Sequence, residues 1–118
     1  MTVLWKDFPD EHDFPAAESY LSLHVAPLSA GGIVVALRHS KIVQFKSKDI
    51  VRASGLPMLD GRNVHVRRNL AKIEKGVPLS PVLLVRGQPL IIADGYHRVC
   101  AVHVLDEDEP IPCLIVSR

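Results

Sequence analysis

Asp94, Gly95, Tyr96, His97 and Arg98 stand in a row between two apolar runs, residues 90–93 and 99–102. Where a strand hands over to a helix, the helix end exposes unpaired backbone N–H groups and carries roughly half a positive charge from the aligned peptide dipoles. An anion placed there collects several hydrogen bonds at once. Gly95 allows a sharp turn and a close approach to backbone that a Cβ would shield. Arg98 offers a planar fork suited to phosphate oxygens. His97 can donate a hydrogen bond or pass a proton near neutral pH. Asp94 can anchor the loop, hold a cation or accept a proton from a substrate hydroxyl. The same residues also read as a plain capping turn, with Asp94 on the helix end and His97 and Arg98 in solvent.

A second group of chemistry-bearing residues lies upstream. His65, Arg67 and Arg68, with Lys72 and Lys75, gather cations on one helix and its approach. They suit a phosphorylated ligand or a solvated helix face. No aromatic residues lie near this stripe to stack bases, which argues against nucleic acid. His12, His24, His39 and His103 have no metal-ligand spacing, and no metal site is assigned. Cys100 and Cys113 are too few and too far apart for zinc or a redox pair, and each sits in an apolar run as a small hydrophobe would. Residues 106–109 form an acidic loop, and Trp5 and Phe8 either pack on the domain or dock a partner.

These groups need elements to position them. Asp13 and Pro15 are a helix entry, with Asp13 as N-cap and Phe14, Ala17 and Leu21 facing inward up to His24. Pro27 and Leu28 break that helix, and Ser29 caps a second one running to Arg38. Residues 42–45 read as a short strand. Ser47 caps a helix over 48–53, and Gly55 supplies a left-handed stop. Val64, Leu70 and Ile73 mark a helix ending at Gly76. The runs 82–85 and 90–93, joined by a Gly/Pro connection, read as a hairpin. After the turn, Val99, Val102 and Leu105 recur at helical spacing, and residues 111–116 form a closing strand. The order predicts a single-domain α+β protein with a small mixed sheet and flanking helices.

Bulk properties agree with one domain: 118 residues, 47% hydrophobic and 23% charged. No apolar run approaches the roughly 20 residues that span a bilayer. The first residues turn acidic at once and lack a signal-peptide core, so a cytoplasmic, membrane-free location is expected. The net charge of +1 is unevenly spread: −4 over residues 1–37, +8 over 38–86 and −3 over 87–118. The central basic block can attract a phosphorylated ligand or nucleic acid, and solvated helix surfaces account for the same residues equally well. A homodimer is compatible with this reading.

From Lys46 to Val116 the chain resembles the ParB/sulfiredoxin-like fold. The resemblance rests on an ordered set: a helix ending at Lys75-Gly76, the strand 82–85, a hairpin to Ala93, the turn from Asp94 to Arg98, a helix, and the strand 111–116. It implies a core over residues 46–118, with residues 1–45 as a helical extension packed on it. In the sulfiredoxin branch the turn is Gly-Cys-His-Arg with a nucleophilic cysteine. Gly95, His97 and Arg98 match, but Tyr96 holds the cysteine position, so sulfiredoxin chemistry is not expected. In the chromosome-partitioning branch the turn Gly-Glu-Arg-Arg binds CTP and, through the glutamate, Mg2+. Gly95 and Arg98 match there, and Tyr96 again replaces the key residue. No helix-turn-helix follows, so DNA is not an expected partner.

The free-serine kinases carry Asp-Gly-His-Thr-Arg, which matches at Asp94, Gly95 and Arg98. They also use an earlier carboxylate that the sequence does not single out. The denominator common to the three branches implies a nucleotide or phosphate bound at Gly95, Tyr96, His97 and Arg98, with His65, Arg67 and Arg68 as nucleotide contacts. It implies Asp94 and His97 as the catalytic pair of a nucleotide-dependent phosphotransferase or NTPase, with Mg2+ accompanying the nucleotide. The alternative is a non-catalytic regulatory or protein-interaction module of the same fold.

Overall fold

Residues 82–85 and 111–114 are apolar without alternation, the pattern of strands covered on both faces. The computed structural model, which describes residues 2–118, places them at the centre of a four-stranded sheet. The strands are β1 (Val43–Lys46), β2 (Val82–Val85), β3 (Ile91–Asp94) and β4 (Pro110–Val116), in the order β1-β4-β2-β3. β2 runs parallel to β4, while β1 pairs antiparallel with β4 and β3 antiparallel with β2. The sheet is therefore mixed, and the chain is a compact α+β domain with a radius of gyration of 13.5 Å.

Among the described residues, five helices cover the two faces: α1 (Asp13–Leu21), α2 (Pro27–Arg38), α3 (Ser47–Ser54), α4 (Val64–Glu74) and α5 (Tyr96–Leu105). Side chains alternate across the strands. Val82, Leu84, Ile92, Ile111 and Cys113 join a cluster with Ile50, Val66, Ile73 and Val99, from α3, α4 and α5. Leu83, Val85, Ile91, Ala93 and Leu114 face the other way, onto Phe14, Leu21, Ile33 and Leu37 of α1 and α2. The result is three layers with a sheet in the middle. No helix among the described residues is long and apolar enough to cross a membrane.

Several expected caps differ in the structure. Asp13 does not cap α1; it is the helix's first residue, and its buried carboxylate turns toward Ser80. Pro27 does not break a helix but opens α2 from its first position, where a missing N–H costs nothing, and Ser29 lies inside that helix. Ser47 spends its hydroxyl on the carbonyls of Asp106 and Glu107, at 2.9 and 2.8 Å, tying α3 to the acidic loop. The first expected helix ends at Leu21, before His24. β1 lies at 43–46 and so crosses the 45/46 division suggested by the resemblance. The hairpin, the strand 82–85 and the left-handed stop at Gly55 (φ +64°) stand as expected.

Candidate functional site

Gly95 is the hinge of the site. Its φ of +103° lies where side chains are rarely tolerated, and a Cβ there would meet Arg98 Nη2 at 2.8 Å and Val82 Cγ2 at 3.0 Å. The position demands glycine twice over, by backbone and by space. α5 starts immediately at Tyr96, so Tyr96, His97 and Arg98 form its first turn rather than a loop before it. The first helical bond runs from Val99 N–H to Gly95 O, and no side chain caps the helix. The amides of residues 96–98 are thus left for a ligand or water.

Arg98 folds back over Gly95 into a carboxylate network. Its Nη2 lies 2.9 Å from Asp94 Oδ2 and 3.6 Å from Asp13 Oδ2, and it donates to Pro81 O at 3.4 Å. Asp13 is almost wholly buried. It accepts a 2.5 Å hydrogen bond from Ser80 Oγ, and Ser80 Oγ in turn accepts from the Asp10 amide at 3.0 Å. Burial raises Asp94 above the ordinary carboxylate range, and the nearby Asp13 charge pushes the same way; Arg98 opposes both without winning. Asp13 and Ser80 are far from the turn in sequence, and no local pattern marks either as a neighbour of Arg98. The ring of His12 lies 3.3 Å from Asp13 Oδ1. Asp10, His12 and Asp13 bring ligand atoms within 4.8 Å of one another. Lys6 holds Asp10 at 2.7 Å, and Ser80 and Arg98 occupy Asp13, so this group already has partners.

The opposite wall of the site comes from α4. Asn63 caps this helix, its Oδ1 accepting from the amides of His65 and Val66 at 2.9 and 3.1 Å. Buried Val66 and Ile73 seat the helix on the core, which sends 65, 68, 69 and 72 to one face. His65, Arg68, Asn69 and Lys72 line a cleft of about 310 Å3 whose other wall is the turn from Asp94 to Arg98. Of the upstream residues expected to reach a ligand, His65 and Arg68 face this cleft. Arg67 points away, its guanidinium 3.5 Å from Gly61 O. Asn69 and Lys72 complete the wall, and the i, i+3, i+4, i+7 spacing from His65 is the signal that finds them.

Across the cleft the rings of His65 and His97 lie 4.8 Å apart, centroid to centroid, tilted by 46°. Burial, and then the His65 imidazole, hold His97 below the usual histidine range. Tyr96 packs beside His97 at 5.2 Å, and its hydroxyl donates to Pro57 O, tying α5 to the connection before α4. Behind the turn a second, more apolar pocket of about 510 Å3 is lined by Tyr20, Leu56, Pro57 and Ile92, and again by residues 94–97. The turn is therefore a shared wall between a cationic compartment and an apolar one. Comparisons of the chain with models of protein families, with curated proteins and with solved structures find no match.

Proposed function

We propose that the cleft between α4 and the N-terminus of α5 binds the phosphate of a nucleotide or another phosphorylated small molecule. One observation carries this reading: His65, Arg68 and Lys72 face the uncapped amides of residues 96–98 across a single cleft. The apolar pocket behind the turn suits a base or another flat group. The order of strands and helices around the turn supports a ParB/sulfiredoxin-like domain, and the turn's Tyr96 argues against sulfiredoxin chemistry. Arg98 serves first as a positioning residue, since two carboxylates hold its guanidinium against Gly95. Asp13 is the one buried carboxylate that an earlier segment brings to the turn, and it acts there through Arg98.

As an enzyme, such a domain would transfer or hydrolyse a phosphoryl group, with Asp94 and His97 handling a proton. Asp94 is the only carboxylate among the residues lining the cleft. Arg98 already holds that carboxylate at 2.9 Å, and Arg68 and Lys72 line the same cleft, so Mg2+ accompanying a nucleotide would be held chiefly by the nucleotide's own phosphates. Titration calorimetry with ATP, ADP, CTP and GTP, each with Mg2+, tests the reading. At least one nucleotide should bind, and Arg68→Ala combined with Lys72→Ala should weaken it by about 10-fold or more, since charge-assisted hydrogen bonds contribute about 1.5–3 kcal/mol. Failure of all four to bind overturns it. A binding module without turnover is the second reading. It is favoured by the Tyr96 hydroxyl, which is engaged by Pro57 at the position where related turns place a reacting group.

A further inference from the structure

The two facing imidazoles are more than phosphate binding requires. Arg68 and Lys72 already supply positive charge to the cleft, while His65 and His97 stand opposite each other from different helices with their rings 4.8 Å apart. Two imidazoles close enough to touch one phosphate, with cations beside them, form the general acid–base arrangement that phosphodiester transesterification needs. We infer that the cleft cleaves ribonucleotide phosphodiesters without a metal, the adjacent rings of His97 and His65 acting as base and acid toward the entering and leaving oxygens of one phosphate. This rests on the reading of the cleft as a phosphate site and assigns it a substrate class.

The step balances within the site. The 2′-hydroxyl oxygen attacks phosphorus, and its proton passes to the neutral ring of His97. The bond from phosphorus to the 5′-oxygen breaks, and that oxygen takes a proton from the protonated ring of His65. The products are a 2′,3′-cyclic phosphate and a 5′-hydroxyl, and exchange with water resets both rings. Arg68 and Lys72 face the phosphoryl oxygens as their negative charge grows. His97 belongs to both compartments, so the nucleoside carrying the 2′-hydroxyl sits in the apolar pocket beside Tyr20 and Pro57. The α4 face from His65 to Lys72 is only about 10 Å long, which fits a short substrate better than an extended strand.

The full set of dinucleoside monophosphates and a short ribo-oligonucleotide, each with excess EDTA, would be followed by chromatography and mass spectrometry. At least one should yield a 2′,3′-cyclic phosphate, and the matching deoxyribose compounds should stay intact. His97→Ala and His65→Ala should each slow cleavage by about 100-fold or more, the usual scale of general acid–base catalysis. Both side chains lie at the surface of the cleft, so thermal melting should not move. No cleavage by the wild type overturns the inference, as does loss of activity in EDTA, or equal activity in variants purified alongside it. If ADP still binds while nothing is cleaved, only the transesterification falls; if ADP and the other nucleotides also fail to bind, the phosphate site falls with it.

Discussion

Asp94 is pulled in opposite electrostatic directions. Its carboxylate is paired with Arg98 at 2.9 Å, yet its proton affinity is raised, because burial and the Asp13 charge outweigh that pair. A carboxyl that binds its proton more tightly when folded favours the folded state at low pH. That contribution is complete below the unfolded value of about 3.9 and is lost as pH rises through the higher folded value. Asp94→Asn removes the titration. The melting temperature of the variant relative to wild type should therefore climb from about pH 4 upward and level off once Asp94 is ionised. A difference that falls across that window would show that Arg98 dominates. The turn itself was legible in the sequence, since glycine flanked by polar residues between apolar runs has few other uses. The inward fold of Arg98 was not, because Asp13 reaches it only through tertiary packing and its position beside Pro15 mimics an ordinary helix cap.

Helices and strands were more legible than the way their ends are finished. Apolar periodicity located α4 and α5, and the unbroken apolar runs located β2 and β4, because packing sets those patterns directly. Polar residues at helix starts were less informative. Ser47 and Asp13 have hydroxyl or carboxylate groups that serve a cap or a distant partner equally well, and in both cases the distant partner wins. Asn63 is the side chain that does cap a helix, and it orients the α4 face that lines the cleft. Asn63→Ala should lower stability by about 1 kcal/mol, read as a shift in urea midpoint with an unchanged slope. It should also loosen the nucleotide binding proposed for the cleft, because His65 lies in the turn that the cap holds. A variant with wild-type stability would mean that water satisfies the amides of His65 and Val66 equally well.

At the scale of the whole chain, the central sheet buries apolar side chains on both faces, and each face depends on different helices. The resemblance places a core over residues 46–118 with residues 1–45 packed on it. The two parts meet in three separate ways. Removing residues 1–45 takes three of the four residues of β1 from the edge of β4. It strips α1 and α2 from Leu83, Val85, Ile91, Ala93 and Leu114, opening an apolar face on both central strands. It also takes away Asp13, leaving Ser80 without its carboxylate and Arg98 with one carboxylate, Asp94, in place of two. Full burial of such side chains contributes about 1.5–3 kcal/mol each, while a typical domain retains only about 5–15 kcal/mol of net stability. A chain starting at Lys46 should therefore lack a cooperative thermal transition and show collapsed amide dispersion in a proton–nitrogen NMR spectrum. Adding residues 1–45 as a separate polypeptide should restore dispersion only if the two pieces reassemble across the sheet. A folded, monomeric fragment from Lys46 onward would show instead that α1 and α2 are a true extension, and that the turn from Asp94 to Arg98 does not need Asp13 for the domain to fold.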